Sequence, residues 1–202
     1  MTSYAAVADA SDTLVDLLRT EIATEGNEFG VTPDQIMLAA PDDVEADSEI
    51  RISVLLQKIG KDPSLNNRSR VQTGNNTYQD PPLALTLQYL VTAYPPADLT
   101  SVAERMQAQQ TLLGRVIQTM YDAAVLDADS LSGSLREAAS LTCTINEEKT
   151  DRIEEWWHSI SAGQLQPSVV YDIGPVFIQS TTSEEVTRVQ EREINVERKR
   201  RD

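Results

Sequence analysis

Pro81-Pro82-Leu83-Ala84-Leu85-Thr86-Leu87-Gln88-Tyr89-Leu90-Val91-Thr92-Ala93-Tyr94 is the stretch that decides the fold. Two prolines stop whatever precedes it. Leu83, Leu85, Leu87, Tyr89, Val91 and Ala93 then fall on one face of an extended chain. Ala84, Thr86, Gln88, Leu90, Thr92 and Tyr94 fall on the other. A period of two sustained over this length predicts a strand. Pro95-Pro96 ends it, because proline cannot donate to a sheet ladder. The expectation is a central strand with most other elements packed against it.

Working outward, Gln35 to Ala40 is a short apolar run ended by Pro41, and Ile50 to Ile59 alternates well. Both read as strands. Leu141 to Ile145 reads as a further short strand, as does Ser168 to Gln179, interrupted by Gly174-Pro175. That pair suggests a bulge, an edge, or two successive strands. Tyr4 to Ala23 carries Tyr4, Val7, Ser11, Leu14, Leu18 and Ile22 at helical spacing and predicts an amphipathic helix. Asp9, Asp12, Asp16 and Arg19 lie off that stripe. Ser101-x-x-Glu104 matches a capping box and opens a second helix. Its core stripe is expected at Val102, Met106, Leu113, Val116 or Ile117, and Met120. Gly114 inside it suggests close approach of another backbone. Leu126 to Ala139 holds at most a short helix. Thr150 to Ser161 is a third helix, with Ile153, Trp156, Trp157 and Ile160 on one side.

The expected fold class is therefore α+β: a single domain over residues 1–180, with an extended C-terminal arm over residues 181–202. Its sheet is mixed or antiparallel, with about four to six strands flanked by about three to four helices. The arm is too sparse in apolar residues to order itself, and simple terminal disorder is the alternative reading.

Hydrophobic residues make up 40% of the 202, enough for one sizeable core. No apolar run is long enough to span a bilayer, so no membrane insertion is expected. The N-terminus carries acids and no basic cluster before its apolar positions, which does not fit a secretory signal. Cys143 is the sole cysteine, which rules out an intrachain disulfide and fits a reducing compartment.

The net charge of -15 is unevenly placed. Residues 1–50 carry twelve acids against one base, Arg19. From Arg188 onward there are six bases and four acids. The acidic body argues against nucleic acid as a partner, since phosphate neutralisation needs a basic face. An acid excess with only Lys58 and Lys61 as lysines before residue 140 suits a halophilic host, where salt screens self-repulsion. An ordinary acidic protein is the alternative.

Gly60 to Asp80 has little periodicity and many turn residues, among them Asn66-Asn67 and Gly74-Asn75-Asn76. So long a connection inside a domain is either a solvated loop or a contact loop. Lys58, Lys61, Arg68 and Arg70 make it a local positive island. Arg68 and Arg70 are one candidate interface. The arm supplies the other: Val186, Arg188, Val189, Arg192, Ile194, Val196, Arg198, Lys199, Arg200 and Arg201. It alternates weakly and could add as a strand to a neighbouring subunit or to another protein's sheet edge, with its arginines on acidic surface.

Signs of catalysis are missing from the motifs. There is no G-x-S-x-G, no P-loop, no dinucleotide fingerprint, no C-x-x-C pair and no H-E-x-x-H. His158 is the only histidine, so a two-histidine metal site is impossible. Cys143 has no basic neighbour in sequence and reads as a buried structural thiol. No catalytic, cofactor-binding or metal-binding residue is assigned, and no cofactor is expected.

The stretch Pro81–Tyr94 resembles the signature of the cap, or tail-terminator, proteins of phage-tail-like contractile injection systems of the virulence-cassette and antifeeding-prophage type. So does Gln110-Thr111-Leu112-Leu113-Gly114-Arg115-Val116-Ile117-Gln118-Thr119-Met120-Tyr121-Asp122. Tyr4-Ala5-Ala6-Val7-Ala8-Asp9-Ala10-Ser11 is similar to the family's start, and Asn66-Asn67-Arg68 to a degraded arginine–asparagine loop. Trp156 and Ser168 to Val176 fall where the family places a helix and a following strand. The matches cover most of residues 4–180.

The resemblance implies a compact α+β domain forming a homo-hexameric ring. That ring would sit on inner-tube and sheath proteins at the distal end and stop tail growth, in a particle or virion tail assembled in the cytoplasm. It implies no catalytic residues and no cofactor. A non-enzymatic adaptor or assembly-binding module outside a tail context is the alternative.

Overall fold

A computed structural model describes residues 4–24, 27–45, 48–62, 64–65, 69–72, 74, 76–137, 140–160 and 164–185, with the side chains of residues 156, 158–160 and 185 left aside. Asn66, Asn67, Arg68, the segment from 186 onward, and the side chains of Trp156, His158 and Ile160 thus lie outside the described part. The elements are α1 (Ala6–Ile22), β1 (Ile36–Leu38), β2 (Ile52–Lys61), β3 (Val71–Gln72), β4 (Thr77–Gln79), β5 (Leu83–Ala93) and α2 (Val102–Asp122). Then follow β6 (Val125–Asp127), β7 (Ser140–Ile145), α3 (Glu147–Asp151), α4 (Ile153–Ile160), β8 (Ser168–Ile178) and β9 (Ser183–Glu185).

The fold is α+β, as the alternation and the helical stripes imply. Six strands form one sheet in the order β1-β2-β5-β8-β7-β6. β1 pairs parallel to β2, and the remaining pairs are antiparallel, so the sheet is mixed. The quoted stretch is its inner strand. Leu85, Leu87, Tyr89, Val91 and Ala93 enter the main core beneath α1 and α2. The other face is not polar either: Leu90 packs with Trp157 of α4 and Val170 of β8 in a second core. A strand buried on both faces explains why Ala84, Leu90 and Tyr94 interrupt an otherwise polar face.

Both neighbours of β5 carry a register shift. Gln57 is the extra residue on β2, between the Leu56–Tyr89 and Lys58–Gln88 pairs. On β8, Gly174 and Pro175 together oppose Thr86. Two-against-one pairing bends the strand and raises its local twist, and the sheet curls accordingly. Of the readings open for Gly174-Pro175, the bulge is the observed one; the peptide is cis, and β8 runs unbroken between β5 and β7. A Cβ on Gly174 would stand 3.0 Å from the Leu85 carbonyl oxygen, which explains glycine there.

Five expectations need correction. Tyr4 is 92% exposed and outside the α1 core stripe, which uses Ala6 and Ala10 instead. The α2 stripe is rotated: Gln109, Leu112, Val116, Thr119 and Met120 are buried, while Val102 is 73% and Met106 44% exposed. Gln109 is buried because its side-chain amide donates to the Ala93 carbonyl (2.7 Å) and to Gln166 (2.8 Å), which polarity alone could not forecast. No atom comes within 4 Å of a Cβ built on Gly114, so no backbone approaches it. The 60–80 connection is not structureless: β2 runs on to Lys61, and β3, β4 and β9 form a second, three-stranded sheet. The expected third helix is two, α3 and α4, with Asn146 capping α3 through Lys149 N–H (2.9 Å).

The polar side of α1 also has a partner. Asp9 accepts from the backbone N–H (2.8 Å) and hydroxyl (2.5 Å) of Ser134, and Thr13 Oγ1 accepts from Ser132 N–H (2.9 Å). These bonds hold the 133–137 turn, whose Leu135 is buried in the main core.

Candidate assembly surface

Among the described residues, no three His, Cys, Asp or Glu side chains converge as a metal site. Cys143 lies in the core, where burial pushes its thiol up to about 12, so the reactive thiolate is suppressed. Among the described residues, no helix is long and apolar enough to cross a membrane.

Two surface features lie at opposite ends of β5. The first is the small sheet. β4 pairs antiparallel with β3 (Gln72 opposite Tyr78) and with β9 (Tyr78 opposite Glu184). It joins the body beside the start of β5, where Asp80 N–H donates to the Thr182 carbonyl (3.4 Å) and the Gln79 amide donates to the Ser180 carbonyl. Arg70 immediately precedes β3. Its Nε donates to Asp80 (3.0 Å) and its Nη1 to Glu184 (2.5 Å). The bond to Glu184 and the charges of Glu184 and Asp80 raise the guanidinium pKa above its usual value. Arg70 thus ties β4 to β9 within its own chain. Arg68 and all the candidate residues from Val186 to Arg201 lie outside the described part. The chain enters that basic segment directly from β9.

The second surface is a cleft of about 820 Å³ at the other end of β5, which the sequence reading did not anticipate. It lies between the 28–35 loop, the Ser48–Arg51 approach to β2, the Pro96–Leu99 turn and the first turns of α2. Glu28, Glu49, Asp98 and Glu104 line it together with Phe29 and Leu99. Its walls are firmly bonded. Asn27 Oδ1 accepts from Phe29 N–H (3.1 Å) and Val31 N–H (3.1 Å), and Gly30 turns with φ of 61°. Arg51 is buried at the base, its Nε donating to the Tyr94 carbonyl (3.1 Å). Burial lowers its pKa, while the charge of Asp98 works the other way. The four carboxylate residues are exposed, and among the described residues none is in an ion pair. The only signal in the sequence was the acid excess of residues 1–50; the convergence with Asp98 and Glu104 is tertiary.

The fold occurs in two solved structures. One is the sheath/tube terminator, in the extended state, of an extracellular contractile injection system, PVC: 15% identity, 96% of this chain, 64% of that one, TM-score 0.59. The other is the anti-feeding prophage cap, described as the AFP tube terminating cap: 18% identity, 94% of this chain, 61% of that one, TM-score 0.60. The chain spans less than two thirds of the length of either. No curated protein matches its sequence. The family described as Pvc16 N-terminal domain matches residues 9–192, which takes in every described element from the second turn of α1 onward, and the chain belongs to that family.

Proposed function

We propose that this protein is a structural cap of a contractile injection particle or contractile tail, a terminator that seats on the distal end of the inner tube and sheath and ends their growth. The observation that carries this reading is the extent of the likeness. Terminators of tube and sheath share the fold over nearly the whole of this chain. Six copies would form a ring, matching the symmetry of a stacked tube, and a closed ring needs one surface for its neighbours and another for the tail. Inner-tube and sheath subunits are then the partners, and assembly takes place in the cytoplasm before release of the particle. The acid excess suits a high-salt host. Beyond β9, the 181–202 arm acts on a neighbouring subunit or on the last sheath ring, with Arg70 beside its root.

The direct test is to delete the gene and image the particles. Loss of uniform length and of a closed distal end is the expected result. Particles of unchanged length with an intact cap density would overturn the reading. Deleting residues 184–202 tests the arm: particles that keep cap and length would show that it is dispensable.

A further inference from the structure

We propose that the acidic cleft receives the basic C-terminal segment of a second copy of this chain, with Arg198, Lys199, Arg200 and Arg201 on Glu28, Glu49, Asp98 and Glu104. Charge complementarity comes first. The body is strongly acidic, so copies of it repel unless a counter-charge lies between them. The densest counter-charge in the sequence is the run of four bases at 198–201. Four exposed carboxylates, none in an ion pair among the described residues, line this cleft. Phe29 and Leu99 add an apolar surface suited to arginine stems and to the planar face of a guanidinium.

Placement favours an occupant from another copy. The chain enters β9 beside Asp80, near the start of β5, and leaves it at Glu185, opposite Thr77, while the cleft opens past Tyr94 at the other end of β5. The strand has 11 residues, so the two ends are roughly 35 Å apart. Arg198 is thirteen residues beyond Glu185 and reaches about 45 Å only when fully extended. Docking into its own cleft would stretch the segment along the whole body. A neighbour placed head to tail presents its cleft near the root of the segment instead. Such a contact joins two different patches, which is the geometry that closes rings. The inference rests on the ring reading and names the groups that close the ring.

The test uses the full chain and two charge reversals. One variant carries Asp98→Lys and Glu104→Lys in the cleft; the other carries Arg198→Glu, Lys199→Glu, Arg200→Glu and Arg201→Glu. Assembly is followed by sedimentation and negative-stain imaging. Each variant alone should need at least about tenfold more protein to assemble. Mixing the two should restore rings, because in an alternating ring every reversed arm meets a reversed cleft. Restoration only when both reversals are in one chain means docking within a chain and overturns the proposal. Rings unaffected by either reversal overturn it while leaving the cap reading intact.

A wild-type chain that never assembles refutes the ring. In that case a peptide of residues 186–202 is titrated onto the chain truncated after Glu185. Binding that weakens at least about tenfold with the cleft reversal keeps the cleft as the receptor. Binding unchanged by that reversal, or absent, overturns it.

Discussion

β5 and the small β3–β4–β9 sheet are joined by a few residues, yet they are held by different forces. β5 is covered on one face by α1 and α2 and on the other by Trp157 of α4. Its side chains are removed from water almost completely, at about 1.5–3 kcal/mol for each large apolar group. The small sheet is two to three residues deep, Val71 on it is 53% exposed, and its cross-ties are the Arg70 carboxylate pairs. Exposed pairs contribute little to stability. The lesson is a division of labour: one region fixes the fold, and the other is a small, exposed sheet of low local stability.

Alkaline titration should separate the two most strongly. Burial pushes Tyr89 and Tyr171 up to about 12 from 10.0, and Cys143 up to about 12 from 9.0, all on the large sheet. Below pH 9 these groups hold their protons folded or unfolded, and stability is independent of them. Above it the unfolded chain releases protons first, so stability falls until pH 12, by up to about 1.4 kcal/mol per group for each pH unit. Denaturant unfolding between pH 8 and 12 should show a flat limb and then a steep one; a profile flat to pH 12 would remove the core assignment.

Next in size, Trp157→Ala should cost about 3–5 kcal/mol and Val71→Ala under about 0.5, measured by chemical denaturation. Equal costs would erase the distinction between the regions. Gly174→Ala, with its Cβ against the Leu85 carbonyl, should cost about 1–3 kcal/mol by forcing β8 away from β5. Gly114→Ala has the opposite sign. It lies exposed on α2 with open space around it, so alanine should stabilise the chain by about 1 kcal/mol. The smallest effect belongs to Arg70→Ala. The global unfolding midpoint should stay put while amide exchange at residues 183–185 accelerates. A lowered midpoint would mean that the small sheet is part of the cooperative core.

The site was less legible than the fold. Acidic residues at 28 and 49 are unremarkable among twelve in their region, and Asp98 and Glu104 belong to a different stretch altogether. Only the turn at Pro96–Leu99 brings them to one cleft. Arg70 was legible as a charge, but its bond to Glu184 depends on β9 returning more than a hundred residues later. The rotation of the α2 stripe had a similar cause: two adjacent apolar sides were available on that helix, and the sheet chose the one on which Gln109 finds its acceptors.

What the residues determined by themselves was local. Period-two alternation from Leu83 to Ala93 placed the central strand, because side chains on a pleat must alternate. Ser101 and Glu104 placed the start of α2, because its first amides need acceptors, and the Ser101 hydroxyl takes the Glu104 N–H at 3.4 Å. What the tertiary structure decided was everything that needs two distant segments at once: the second core on Trp157, the bulges that curl the sheet, the small sheet closed by β9, and the acidic cleft. Those depend on register and on which faces meet, and neither is encoded in the spacing of residues along a single segment.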